Sequence, residues 1–126
     1  MYKPNNGAIA FVEFFSKNPA ASKKFLKNVF GWKSEKVRNE GMDIHLFEPR
    51  NGPTTHLMTP MEKMSPSTVA FMRVKSVDAT SEKVKKNGGK VLFPKYQVSG
   101  VGWFCWYRDP GGYTFGVFQP TRGGRR

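Results

Sequence analysis

The pattern of apolar and polar residues in the first half of the chain predicts a strand, a helix and three more strands. Residues 8–15 are apolar and β-prone. Asn18 can then cap a helix that starts at Pro19, and Gly31 is placed to end it. Short runs rich in strand-forming residues, with turn residues between them, follow at 32–38, 42–48 and 54–59.

Apolar residues of this predicted helix fall on one side. Ala21, Phe25 and Val29 recur at intervals of four, and Leu26 and Phe30 widen the stripe. Such a stripe on one side is typical of an amphipathic helix.

The second half of the chain repeats this order. A strand at residues 68–74 precedes a helix that Ser76 caps, with Val77, Thr80 and Val84 on its inward side. Three further strands are predicted at 91–93, 101–108 and 113–119. Because each half has one strand, one helix and three strands, the sequence predicts an α+β fold of two βαβββ modules.

The two halves also match in length. The helix caps Asn18 and Ser76 are separated by nearly the same interval as Pro60 and Pro120, the prolines that close the two halves. We therefore expect a single domain over residues 1–126. It would comprise module one at about 7–60, a linker at 61–66, module two at about 67–120, and a basic tail at 121–126 whose last five residues we expect to be disordered.

The net charge of +12 has two interpretations. A basic protein can bind an acidic partner such as nucleic acid, a membrane surface or an anionic small molecule. We favour a solubilising surface instead, because many lysines fall on the polar sides of the two predicted helices. These lysines are Lys23, Lys24, Lys27, Lys83, Lys85 and Lys86.

The single cysteine and the lack of long apolar runs indicate the cellular compartment. Cys105 is the only cysteine, so no intrachain disulfide can form, and its aromatic neighbours predict a buried and inert thiol. The chain has no apolar run long enough to span a bilayer, and its first residues lack the apolar stretch of a signal peptide. We expect a cytoplasmic protein with no membrane partner.

Sequence motifs in both halves point to one family. Asn18-Pro19, Phe25-Leu26 and the segment 29–32 stand in the first half, and the segment 88–91 stands in the second. Segment 101–113 contains an Asp-Pro-Gly-Gly turn near the C-terminus. In this order and spacing, the chain resembles the small glyoxalase-like members of the vicinal-oxygen-chelate superfamily, which also contains bleomycin resistance proteins and dioxygenases. The resemblance implies a curled mixed sheet that forms a half-open cup with the helices outside, and it implies a homodimer.

The resemblance also identifies the positions at which related proteins bind a metal. In metal-dependent members, four positions that face the cup ligate a divalent cation, and they correspond here to Phe11, His56, Val69 and Gly116. Only the imidazole of His56 can donate a lone pair, whereas a catalytic metal usually needs about three protein ligands. We therefore expect no metal and no other cofactor.

Strand alternation adds candidate ligand-binding residues. Glu13 lies two residues from Phe11 and shares its side of the strand, where it would act as a polar anchor or base, or would pair with a basic residue such as Arg73. His56 is the second polar candidate, although we favour an ordinary hydrogen-bonded strand histidine. The same alternation assigns three apolar residues to this side: Phe15, Phe71 and Phe118.

Three classes of function remain open. We favour a small-molecule-binding protein without a metal, which would sequester an organic ligand, such as an aromatic one, in the cup. The alternative is a lyase- or isomerase-type enzyme that acts on a carbonyl compound, with Glu13 and His56 as general acid–base catalysts. The third is a nucleic-acid-binding module, which the charge favours and the lack of an RRM-type aromatic motif opposes.

Overall fold

The elements of the structure follow the order expected from the sequence. The computed structural model describes residues 3–39, 41–49, 52–62, 64–65 and 67–121. Two βαβββ modules account for the helices and strands of these residues, so the α+β fold class is confirmed. The elements are β1 (Ile9–Phe15), α1 (Pro19–Phe30), β2 (Ser34–Asn39), β3 (Met42–Phe47), β4 (Thr54–Met58), β5 (Ser67–Arg73), α2 (Val77–Lys86), β6 (Lys90–Val98), β7 (Gly102–Arg108) and β8 (Thr114–Pro120).

The chain forms two compact units, each with a mixed sheet. The first unit contains Phe11–Val69, and the second contains Lys3–Ala10 together with the residues from Ala70 onward. Strands of the first unit lie in the order β2-β3-β4-β1, with β1 and β4 parallel. Those of the second lie in the order β5-β8-β7-β6, with β5 and β8 parallel. The other neighbouring pairs within each unit are antiparallel.

Capping residues begin and end the helices as predicted. Asn18 Oδ1 accepts a hydrogen bond from the backbone N–H of Ala21, and Ser76 Oγ accepts one from Ala79, both at 3.1 Å. Gly31 has the left-handed conformation (φ 73°), and its N–H donates to a carbonyl of the last helical turn. These bonds satisfy backbone groups that have no partner inside the helix.

The core of the second unit lies between α2 and the strands β7 and β8. Its buried members are Val77, Cys105, Tyr107 and Val117. Val84 packs against them, so the predicted inward side of α2 and the burial of the thiol are confirmed. The hydroxyl groups of Tyr107 and Ser81 are 2.6 Å apart, and burial raises the pKa of the phenol.

The apolar stripe of α1 is only partly covered by the rest of the protein. Phe25, Val29 and Phe30 are 61%, 54% and 62% exposed, and none of the residues of this helix, all of which the structure describes, is buried. Ser22 and Leu26 are half-buried, and at helical spacing both lie within this stripe. A hydrogen bond of 2.7 Å joins the hydroxyls of Ser22 and Ser16, which follows β1, and it ties this side of the helix to the end of the strand.

Strand β6 is longer than the sequence predicts. A strand was expected only at 91–93, but β6 continues to Val98 and includes Pro94. Its register against β7 shifts on both sides of Phe93. β6 is the outer strand of its unit's sheet, where a proline that has no N–H to donate is tolerated at an irregularity.

The ends of the chain lie partly outside the described residues. The predicted disorder of residues 122–126 concerns positions that the structure does not describe. Of the helices in the described part, none has the length and apolar character required to cross a membrane.

Candidate functional site

The parallel pairing of β1 and β4 places Glu13 beside His56. The two residues are partners in the strand register. His56 Nδ1 lies 3.9 Å from Glu13 Oε2, and the His56 ring lies 5.0 Å from the ring of Phe11. The side chains of Glu13 and His56 keep 16% and 27% of their surface exposed. The first unit therefore carries a carboxylate and an imidazole side by side, partly open and supported by an aromatic ring.

The separation of these two groups determines what they can do. At 3.9 Å the pair is too far apart for a direct hydrogen bond, and it is an ion pair only when His56 is protonated. Each group thus retains capacity to bond to a third polar group. A carboxylate and an imidazole in such a position can bind a polar ligand or transfer a proton.

Phe15 lies on the same side of β1 as Phe11 and Glu13, since alternate residues of a strand share a side. It is buried, and it lines one edge of an open groove of about 660 Å³ within the first unit. Apolar side chains of β1, α1 and β4 line most of this groove, with hydroxyl groups between them. The groove extends from the sheet toward the exposed Phe25 of α1.

The remaining predicted site residues lie in the second unit. Phe71 is the register partner of Gly116, and Arg73 is that of Phe118. Phe71 and Phe118 are fully buried, whereas Arg73 is half-buried. Contact of these three residues with a ligand remains a prediction, and for Phe71 and Phe118 it would require neighbouring side chains to move.

An aromatic cluster surrounds these two phenylalanines. The ring of Phe71 packs edge-to-face on Phe104 and Trp106, with centroid distances of 6.1 and 5.3 Å. Phe104 also packs on Phe118 at 5.2 Å. The predicted aromatic wall is thus part of the core of the second unit.

The four positions at which the family resemblance implies metal ligands do not suit a metal ion here. Phe11 and Val69 are buried apolar residues. At Gly116, a Cβ atom would overlap the ring of Phe71, so no longer side chain fits without displacing that ring. His56 is the one donor of the set, and no group of three or more His, Cys, Asp or Glu suited to a metal occurs among the described residues. These side chains therefore offer fewer ligands than a catalytic metal needs.

His45 is a titratable residue to which the sequence assigned no role. It lies on β3, and its Nδ1 atom is buried without a hydrogen-bond partner among the described residues. Desolvation lowers its pKa, and the positive charges of Lys23 and Lys36 lower it further. Because alternate residues of a strand share a side, His45 lies on the same side of β3 as the buried Phe47. The sequence does not show which side of β3 is buried, so it could not predict the burial of this imidazole.

The lowered pKa of His45 predicts a stability that depends on pH. Below the ordinary histidine pKa of 6.5, the unfolded chain binds a proton at this residue more readily than the folded chain. The free energy of unfolding should therefore fall as the pH falls through 6.5, until the folded form is protonated as well. Urea unfolding at neutral and mildly acidic pH measures this, and His45→Gln should flatten the dependence. An unchanged dependence in this variant would contradict the assignment.

Comparison with known proteins agrees with this architecture. Residues 8–117 match the model of the Glyoxalase/Bleomycin resistance protein/Dioxygenase superfamily. Proteins of Mycobacterium bovis and Mycobacterium tuberculosis, both named "Putative glyoxylase CFP32", are 28% identical over 122 residues, which cover 92% of this chain and 47% of theirs. The chain thus spans about half the length of the curated relatives it matches.

Solved structures show the same fold at low sequence identity. Methylmalonyl-CoA epimerase from Mycobacterium tuberculosis superimposes with a TM-score of 0.70 at 14% identity, covering 98% of this chain and 94% of the epimerase. Hypothetical protein BH1468 from Bacillus halodurans gives 0.71 at 12% identity, covering 94% and 97%. The match to the family model over residues 8–117 shows that the chain belongs to the glyoxalase, bleomycin resistance and dioxygenase superfamily.

Proposed function

We propose that the protein binds a small organic molecule on the first unit without a metal ion, with Glu13 and His56 as polar anchors. The observation that carries this proposal is their side-by-side position, 3.9 Å apart and partly exposed. Small-molecule sites usually combine apolar walls with a few convergent polar groups. Phe11 packs on the imidazole and limits its movement, which lowers the cost of ordering that side chain when a ligand binds.

The two anchors indicate the chemistry of the ligand. A carboxylate accepts hydrogen bonds, and a neutral imidazole can donate through one nitrogen and accept through the other. A ligand with a hydroxyl, amide or amine group on an apolar or aromatic body satisfies these groups. Such a ligand is also compatible with the apolar residues that border the pair, Phe11 and Phe15.

The same pair supports a second candidate, an isomerase- or lyase-type enzyme. Glu13 could remove a proton from a carbon next to a carbonyl group, while protonated His56 stabilises the oxygen that becomes negative. Two mycobacterial relatives are named as glyoxylases, and an epimerase shares the fold. Exchange of that carbon-bound hydrogen with deuterium in heavy water, followed by NMR, tests this candidate. It fails if Glu13→Gln exchanges the hydrogen as fast as wild type.

Binding is tested by a thermal-shift screen of small organic compounds, with a chelator present, because a specific ligand raises the apparent stability. For a compound found in this way, Glu13→Gln should weaken binding about tenfold or more. Glutamine has nearly the size of glutamate but lacks its negative charge, so the ligand loses a charged hydrogen-bond acceptor. Glu82→Gln is the matched control, because Glu82 is exposed on α2 and its substitution changes the net charge equally.

Two results would overturn the proposal. If wild type, Glu13→Gln and His56→Asn bind the compound equally, these residues do not form the site. If elemental analysis of dialysed protein finds about one equivalent of a transition metal per chain, the metal-free part is wrong.

The homodimer implied by the family resemblance is likewise a proposal. Light scattering should give about twice the chain mass of 14.3 kDa at micromolar concentration. The mass of a single chain would contradict it.

A further inference from the structure

The sheet of the first unit has one covered side and one open side. Trp32, the second residue after α1, packs on Phe14 and Phe47 with ring centroids 6.1 and 5.2 Å apart, and it covers their side. Glu13 and His56 lie on the opposite side, since Glu13 precedes Phe14 on β1 and successive side chains of a strand alternate. We call this opposite side the open side, because Glu13 and His56 are both partly exposed there.

A row of register partners crosses the open side. Glu35 on β2 pairs with Leu46 on β3, which pairs with His56 on β4. His56 in turn pairs with Glu13 on β1. Because neighbouring strands lie about 4.8 Å apart, the backbones of Glu13 and Glu35 are separated by roughly 14 Å. The open side thus holds two carboxylates, with an imidazole and an apolar side chain between them.

The basic residues of these strands lie on the covered side. Of β1 to β4, all of which the structure describes, only β2 contains lysine or arginine, namely Lys36 and Arg38. Lys36 pairs in register with His45, and Arg38 pairs with Asp43, with which it forms an ion pair at 2.7 Å. His45 and Asp43 share the side of the buried Phe47. The strands therefore place no lysine or arginine on the open side.

Apolar side chains border the row of polar residues on the open side. By alternation, Val37 shares the side of Glu35, and Met42 and Ile44 share the side of Leu46. Val37 and Met42 keep 38% and 39% of their surface exposed, and Ile44 and Leu46 are half-buried. An apolar surface thus lies beside the two carboxylates.

We propose that the ligand of the first unit is an organic cation, a protonated amine on an apolar body whose ammonium group binds the Glu13 carboxylate. This inference rests on the proposed binding function and adds the charge of the ligand. A hydrogen bond between an ammonium group and a carboxylate is roughly twice as strong as a neutral one. Among the described residues Glu35 has no ion-pair partner, so its negative charge adds to the attraction.

The net charge of +12 does not contradict a cationic ligand. At physiological ionic strength, exposed charges are largely screened beyond about 8 Å, so a bound ligand responds mainly to the charges beside it. An ammonium group at Glu13 is in contact with a carboxylate, whereas Lys36 and Arg38 lie on the covered side of the sheet. An anionic ligand would instead be held against two carboxylates, which would repel it.

A matched series of probes tests the charge of the ligand. Phenylbutylamine, phenylbutanol and phenylbutyrate share one aromatic body and differ in charge. In NMR titrations of the isotope-labelled full chain, the amine should move the amide signals of Glu13 and His56. It should also bind at least about tenfold more tightly than the alcohol or the acid. Added salt should weaken binding of the amine and leave that of the alcohol unchanged.

Two substitutions test the carboxylates. Glu13→Gln should remove the preference for the amine over the alcohol. Glu35→Lys should weaken binding of the amine about threefold, because its charge acts from a distance through solvent, and should leave the alcohol unaffected. Glu82→Gln and Glu82→Lys are the matched controls, since they change the net charge equally at an exposed position on α2 and should keep the preference.

The outcomes separate this inference from the proposed function. If the alcohol or the acid binds as tightly as the amine, and His56→Asn weakens that binding, the site stands and the cationic ligand is wrong. The inference also fails if no probe moves the signals of Glu13 and His56 at millimolar concentration, or if Glu13→Gln or the Glu82 controls contradict the expected preferences. The thermal-shift screen then decides the proposed function by itself. Well-dispersed NMR spectra show that each variant is folded.

Discussion

Replacing Phe71 with alanine is expected to lower the free energy of unfolding by about 3–5 kcal/mol. The side chain is fully buried and packs edge-to-face on Phe104 and Trp106. Its removal takes away the burial of a large ring and leaves a cavity that the surrounding rings can fill only in part. Urea unfolding followed by tryptophan fluorescence measures the loss, because Trp106 lies in the same cluster.

Phe93→Ala is the control for this substitution. The ring of Phe93 also packs edge-to-face on Trp106, at 5.2 Å, but Phe93 is 44% exposed. Its loss should therefore cost clearly less than that of Phe71, because less apolar surface returns to water. A loss below about 1 kcal/mol for Phe71→Ala would be incompatible with a tightly packed ring in the core.

The elements and their order could be predicted because each depends on neighbouring residues. The caps at Asn18 and Ser76 and the left-handed Gly31 are local, and their hydrogen bonds form as expected. The extension of β6 past Pro94 could not be predicted locally. A proline argues against a strand unless the strand lies at the edge of a sheet, and the edge position follows only from the pairing of β6 with β7.

The exposure of Phe25 and Phe30 on α1 could not be predicted, for a different reason. Apolar periodicity identifies an amphipathic helix, but it does not identify the partner surface. Here the hydroxyl bond between Ser22 and Ser16 joins the helix to the end of β1. Phe25 and Phe30 lie on either side of this contact and remain exposed. A contact between two hydroxyl groups six residues apart leaves no signal in the apolar periodicity of the sequence.

Part of the candidate site was accessible to sequence reasoning. Strand alternation placed Glu13 with Phe11, and the internal repeat identified His56 as an equivalent of Gly116. The structure makes Glu13 and His56 register partners, as it does Phe71 and Gly116. The corresponding pair is thus polar in the first unit and apolar in the second. The burial of Phe71 could not be foreseen, because it depends on three strands whose register the sequence does not specify.

Gly116→Ala is expected to lower the free energy of unfolding by about 3 kcal/mol, at the upper end of the usual cost of overpacking. The added methyl group would overlap the Phe71 ring. That ring is fully buried and packs on two other aromatic rings, so displacing it disturbs these contacts. Gly52→Ala is the matched control. Its Cβ would meet only Pro49, at an ordinary distance of 3.5 Å, so its effect should stay within about 0.5 kcal/mol.

A double-mutant cycle separates this overlap from a general intolerance of alanine at Gly116. In the Phe71→Ala background the ring is absent, so Gly116→Ala should cost far less than in wild type, giving a coupling energy of at least about 1 kcal/mol. Additive losses would show that the cost arises from the backbone of β8 and not from the ring. A large coupling would establish that Phe71 occupies the space beside Gly116, one of the four positions at which the family resemblance implies a metal ligand. At this position the second unit would then exclude a metal ligand for two reasons: glycine has no donor atom, and the Phe71 ring leaves no room for a longer side chain.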